Sequence, residues 1–453
     1  MSGAAVNAPE AQNIFLSNFE RLAERRSGKD PSWLRAIRQS AIERFAQLGF
    51  PHARMEEWRF TSVAPITKIP FQLAEREDQT VTIDQIRPLM FGEPEGQRLV
   101  FVNGHFCPEF SQLSSIPQGM IVTGLEQALE RYPDRLESHL ARYADIEQQA
   151  FAALNTAFIA DGAFVYIPPG VVVEAPLHLL FLSTAPGPPL VSHPRNVIIV
   201  EPNSRVSIVE DYASVNESPC FTNPVTEVVV KENASIDHYR LVRESLQAFH
   251  IATQHTHQGR DARYLSYSLA LGGALVRNDI RVVLDGEGSE CILNGFYLVK
   301  DRQHVDHHTR IDHVTPHSNS REFYKGILDE RGRGVFNGRI VVHPGAQKIS
   351  AHQENKNLLL SKQALVNTNP QLEIHADDVK CSHGATIGQL DADALFYLRT
   401  RGIDLEAARQ ILIYAFARDL ISRIEIAPVR TEVERALGAK LPDAPAAESA
   451  PIN

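Results

Sequence analysis

The chain has 453 residues, 43% hydrophobic and 22% charged, which suits a soluble globular protein of two or three domains. Its formal net charge is −10 and it carries no long basic run, so nothing in it suggests a nucleic-acid-binding surface. Four scattered cysteines (Cys107, Cys220, Cys291, Cys381) argue against a disulfide framework, and no apolar stretch approaches the ~18 residues of a membrane helix.

Residues Met1–Glu10 are rich in Ala, Asn and Pro and are expected to be frayed. They carry no basic patch ahead of an apolar run, so they do not read as a secretory signal, and a cytoplasmic location is expected. Ile14 to Leu48 reads as two amphipathic helices. Phe15, Phe19 and Leu22 recur at helical spacing in the first; Trp33, Ile37, Ile42 and Phe45 mark the second, ended by Gly49 and Pro51. Gln97 to Asn103 reads as a strand closed by Asn103-Gly104, and Gly124 to Ala157 as a further helical stretch.

After Phe158 the texture changes to short β-rich runs separated by Pro, Gly and Asn turns. Asn196–Val200 precedes Glu201-Pro202-Asn203-Ser204 and Arg205–Val209. Thr226–Val230 precedes Lys231-Glu232-Asn233-Ala234 and Ser235–Arg240. Units of this kind recur without an amphipathic helix between them, which excludes a doubly wound α/β fold. A sandwich or barrel and a parallel β-helix both remain, and the repeating strand–turn–strand unit favours stacked coils, although no single period fits. Helical patterning returns after Gly388. Asp391 or Asp393 can cap a helix to Thr400, Arg401-Gly402 breaks it, and Asp404 caps a second helix to about Ile424. Its wide apolar stripe (Leu405, Ala408, Ile411, Leu412, Ala415, Phe416, Leu420) suits either intramolecular core or a docking face. The expected division is 1–157 largely helical, 158–390 a parallel β-helix core, 391–440 helical, and 441–453 a disordered tail.

Chemistry concentrates in two places. Cys381 and His383 lie two residues apart, so in a strand they share a face and can address one metal or one sulfur. A thiolate needs an electropositive neighbour, for which His383 and Lys380 are the candidates. Alternation from Leu372 and Ile374 leaves Val379 out of phase, so the chain must bend or bulge near Asp377-Asp378. Whether Cys381 and His383 face a coil interior or an opening toward a partner stays open. The second place is His304–His313, dense enough in imidazoles and carboxylates to bind zinc or iron, which would suit a metal-dependent β-fold enzyme. Alternation puts Val305, His307, Thr309, Ile311 and His313 on one inward face, so a hydrogen-bonded structural ladder is expected there instead. The sequence holds neither a Gly-x-x-x-x-Gly-Lys-Ser/Thr loop nor a Gly-x-Ser-x-Gly elbow, so any ATPase work is expected of another chain.

The runs Asn355–Ser361, Val366-Asn367-Thr368, Pro370–Ile374 and Asp377–Thr386, continued by Leu395–Arg399 and Arg401-Gly402-Ile403, resemble the SufB/SufD family of iron–sulfur cluster assembly proteins. Gly49-Phe50-Pro51 and Glu56–Thr61 extend the resemblance to the N-terminal region. The string Lys380–Thr386 points to the D branch of that family. The resemblance implies a right-handed parallel β-helix between helical ends, and a non-enzymatic scaffold. It implies pairing with a SufB paralogue through the β-helices, with a homodimer as an alternative. It also implies docking of the SufC ABC-type ATPase on the C-terminal helices, through Leu405, Ala408, Ile411, Leu412, Ala415 and Phe416. Cys381 and His383 are implied to sit at the partner interface, as transient ligands of an iron–sulfur cluster shared with the partner and passed to apo-proteins or carriers. Flavin is associated with the family's complex, and the sequence shows no flavin fingerprint.

Overall fold

The computed structural model describes residues 8–26, 28, 30–76, 81–91, 96–114 and 116–440. The expected tail and the first seven residues lie outside these. Ala8–Glu10, expected to be frayed, instead open a helix running to Arg25.

Successive strands alternate between two sheets. In the first sheet His304–His313, Arg333–Val342 and Leu365–Ile374 lie side by side; in the second, Asn319–Leu328, Ile349–Leu359 and Val379–Gly388 do so. The neighbours are parallel, so the chain climbs as a β-helix of about eight coils with two main strands per coil. The sandwich and barrel alternatives are thereby excluded. The coil length is uneven. Phe249 lies beside Leu275, Leu275 beside His304, His304 beside Arg333 and Arg333 beside Leu365, steps of 26, 29, 29 and 32 residues. That variation is why no single period is visible in the sequence.

The turn signals mark one stacked corner. Asn203, Asn233, Asp261, Gly288, His317 and Lys348 all have left-handed φ, between 54° and 75°. Asn and Gly tolerate that conformation best, and Asn233 Nδ2 also donates to Asn203 Oδ1 at 2.8 Å, one coil to the next. At the N-terminal end Gln97–Val102 extends the second sheet beside Leu177–Ser183, then turns back through Asn103-Gly104, φ 50° and 84°. This is the mirror-image turn that suits a two-residue hairpin. Ile121–Gly124 pairs antiparallel with Ala163–Ile167 and closes the first sheet.

Two hydrophobic layers hold other elements to the coils. Helices Ala8–Arg25, Ser32–Leu48 and Ala150–Ala157 bury Phe15, Phe45, Phe151 and Phe158 against Val191, Phe221 and Ile251. At the other end Leu405–Ile421, Ala427–Lys440 and the linker between them set Ile413, Leu420, Ile424 and Val433 on the outer face of the second sheet, against Tyr267, Phe296, Leu298 and Ile327. Asp391 caps Ala392–Thr400 and Asp404 caps Leu405–Ile421, each carboxylate accepting two backbone N–H groups.

The helical stretch expected over Gly124–Ala157 is three pieces: Leu125–Arg131, Pro133–Glu137 and Ala150–Ala157. Pro133 starts a new helix because it has no N–H to continue the old one. The gap that follows is held from outside. The buried Glu227 carboxylate accepts the backbone N–H groups of Ala141, Tyr143 and Ala144 at 2.8, 2.8 and 3.0 Å.

Candidate functional site

The solenoid ends openly. Leu365–Ile374 and Val379–Gly388 are the terminal strands of the two sheets, and among the described residues no further coil covers them. Residues 375–378 form the corner between them, which is the bend that the phase break near Asp377-Asp378 requires. In the preceding strand Ile349, Ala351, Gln353, Asn355 and Asn357 are buried, while Ser350, His352 and Glu354 are not. Neighbouring residues in a parallel ladder point the same way. Cys381 lies beside Ala351 and His383 beside Gln353, so both belong to the inward face. Cys381 is half-buried against the apolar lumen, whereas His383 is exposed, with no strand stacked above it among the described residues. The interior and the opening are therefore the same place.

Burial pushes the Cys381 thiol above the ordinary cysteine value, against a smaller pull from the Ala351 backbone. Neither expected activator lowers it. Lys380 is one residue away and so points to the opposite face of the strand. The other three thiols are more strongly silenced. Burial lifts Cys107 and Cys220 to about 12, and Cys291 well above its usual value. Among the described residues no three His, Cys, Asp or Glu side chains converge as a metal-holding group.

Two coils beneath His383 lies a carboxyl that sequence reasoning missed. Glu322 stacks beside Gln353, which stacks beside His383. Gln353 Nε2 donates to Glu322 Oε2 at 2.6 Å. Burial raises Glu322 to about 7, with the Thr309 hydroxyl and the Gln353 amide opposing. Other deeply buried carboxylates have cations: Glu227 has Arg195 at 2.7 Å, Glu210 has Arg240 at 3.2 Å and Asp306 has Arg277 at 2.7 Å. Among the described residues no ion pair reaches Glu322.

The His304–His313 strand follows its alternation. His307 is fully buried between the Tyr297 and Tyr324 rings, at 5.3 and 5.2 Å. His313 bonds the Ser318 and Ser320 hydroxyls at 2.7 and 2.9 Å. Burial lowers both histidines to about 4. The other face is covered by the segment Glu56–Thr61. His304 Nε2 lies 2.8 Å from Thr61 Oγ1, and His308 Nδ1 3.0 Å from Glu57. Arg277 bonds Asp306 and Asp279 and lies 3.8 Å over the Trp58 ring. Burial and Arg277 disfavour the His308 cation, but Asp306 and Glu57 outweigh them and raise it to about 9. The outer-face groups clasp the N-terminal region, whereas the expected hydrogen-bonded ladder fails at His307, whose two ring nitrogens have no hydrogen-bond partner among the described residues. Among those residues no metal-holding donor set is formed for the metal-enzyme alternative.

The apolar stripe of the helix Leu405–Ile421 divides. Ala408 is buried inside the protein, and Leu412 and Phe416 are half-buried, Phe416 lying against the sheet-facing core and over Lys325. Leu405, Ile411 and Ala415 face outward. With Tyr414, Phe396 (69% exposed) and Tyr397 (56% exposed), they give the helical end several large exposed apolar side chains.

The SufBD core domain of the SUF system for FeS cluster assembly matches residues 181–416, and the SufBD N-terminal region matches residues 10–179. The chain belongs to the SufBD family. An iron–sulfur cluster assembly SufBD family protein of Synechocystis sp. is 35% identical over 91% of this chain and 92% of its own length. The iron–sulfur cluster assembly protein SufD of Escherichia coli is 30% identical over 89% and 92%. The SufB protein of Bacillus subtilis is 25% identical over 86% of each chain. This SufBD protein therefore carries its Cys381–His383 pair on the uncovered last coil of the core domain. No helix among its described residues is long and apolar enough to cross a membrane.

Proposed function

We propose that this SufBD protein is a D-type scaffold subunit that pairs with a SufB paralogue and supports assembly of nascent iron–sulfur clusters. The observation that carries this is the open coil end, where Cys381 and His383 share the inward face of a strand with no strand above it among the described residues. Two exposed strand edges invite a partner strand, since their outward N–H and C=O groups lack ladder partners. One thiol and one imidazole also cannot complete a cluster site, because clusters are held by about four such ligands. The remaining ligands come from the partner, and the cluster is cargo that passes on to apo-proteins or carriers.

The chemistry assigned to this chain is modest. The Cys381 thiol keeps its proton in the isolated chain and loses it when iron coordinates the sulfur, as metal-bound thiols do. The neighbouring His383 imidazole can accept that proton or offer its own lone pair to iron. Nothing in the sequence supplies ATP hydrolysis, so that work falls to a separate ATPase of the SufC type.

The ATPase docks on the outward helical face. Replacing Leu405 and Ile411 together by Asp places two charges on exposed positions that do not support the core. The double variant should keep the wild-type melting temperature and still bind SufB, but lose co-purification with the ATPase. Undiminished ATPase recovery would reject this docking face.

A further inference from the structure

We propose that Gln353, anchored by Glu322, is a positioning residue that orients the His383 imidazole by accepting a hydrogen bond from one of its ring N–H groups. The three residues occupy one inward column on successive coils, Glu322 beside Gln353 and Gln353 beside His383. The amide has little freedom. Its Nε2 donates to Glu322 Oε2 at 2.6 Å, and its body lies so close to Gly338 that a Cβ there would fall 2.0 Å from Nε2. With the nitrogen committed to the coil below, Oε1 is the amide atom left to meet a donor. That oxygen is buried and has no hydrogen-bond partner among the described residues. An unpaired buried acceptor is costly, so a donor is expected to meet it. His383 is the next side chain in the column, and it is the one whose ring carries donors.

Such a bond fixes which ring nitrogen holds the proton and leaves the other lone pair directed out of the open end. Outer-shell acceptors commonly orient ligating histidines in this way. The inference rests on the cluster-handling role proposed for His383, but its test does not depend on that role.

The full-length chain, labelled with 15N in its histidine rings, is examined by proton NMR for slowly exchanging imidazole N–H signals. The His383 signal is identified by its disappearance in His383→Ala. An exposed, unbonded ring N–H exchanges too fast to be seen, so the wild type should show a protected signal. Gln353→Met should lose it, and Gln353→Glu, which keeps an acceptor oxygen, should retain it. Absence of the signal in the wild type, or its persistence in a folded Gln353→Met chain, would overturn the proposal. The wild-type spectrum alone decides the matter should Gln353→Met fail to fold. A cluster assay in which His383 proves dispensable would remove its proposed role while leaving the bond itself in place.

Discussion

Ending the chain after Thr400 should unfold or aggregate the β-helix, not merely remove a docking site. The lost segment carries Ile413, Leu420, Ile421, Ile424, Val429, Val433 and Leu437, all buried on the second sheet. Burial of such side chains is worth about 1.5–3 kcal/mol each, so their loss totals on the order of 10 kcal/mol. That matches the whole stability of a typical domain, about 5–15 kcal/mol. Truncation also bares Tyr267, Phe296, Leu298 and Ile327, and strips Tyr267 of its 2.6 Å hydrogen bond to the Arg423 carbonyl and Lys325 of its bond to the Phe416 carbonyl. The expected result is insoluble protein, or soluble protein that binds a hydrophobic dye and has lost its cooperative thermal transition. A truncated chain that melts like the full one would show that the helices are loosely attached.

The second large effect concerns a residue whose replacement should stabilise. Burial holds Glu322 at about 7 against an ordinary 4.5, with no ion pair to it among the described residues. For an acid with a raised folded pKa, the stability of the buried neutral form is fully present below 4.5 and is lost as pH rises through about 7. The wild type should therefore lose about 3 kcal/mol between pH 4 and pH 8 at this one site. Glu322→Gln keeps an oxygen to accept from Gln353 and removes the titration. Allowing about 1 kcal/mol for its added amide N–H, it should be roughly 2 kcal/mol more stable than wild type at pH 8 and no more stable at pH 4. Urea unfolding at the two pH values measures the difference. Equal stability at pH 8 would mean that Glu322 is ionised at little cost and has an unrecognised partner.

What the sequence discloses follows from how local each cause is. Corners such as Glu201–Ser204 and Lys231–Ala234 are legible because a left-handed residue must sit there, and Asn is a preferred occupant. Caps at Asp391 and Asp404 are legible for the same local reason. Alternation correctly divides the His304–His313 strand into two faces. It could not show that Glu57 and Thr61, more than 240 residues earlier, would cover the outer one. The break after Glu137 depends on Glu227, likewise distant. Cys381 and His383 stand out as a motif, but their face depends on the phase after the corner at 375–378. The Glu322–Gln353–His383 column is invisible from sequence because it depends on coil lengths, which vary. The outward stripe of Leu405–Ile421 mixes two surfaces for a related reason. Apolar spacing does not tell which half meets the sheet.

The central claim is that the open coil end contributes to cluster assembly through His383. The most direct measurement is the iron and acid-labile sulfide content of the complex with the SufB paralogue and the ATPase, prepared without oxygen from wild-type and His383→Ala chains. His383 is exposed at the coil end, so the variant complex should assemble normally by size-exclusion chromatography. The account predicts that the variant complex retains less than half of the wild-type iron and sulfide, with Cys381→Ser showing a milder loss. Full iron and sulfide in an intact His383→Ala complex would contradict it.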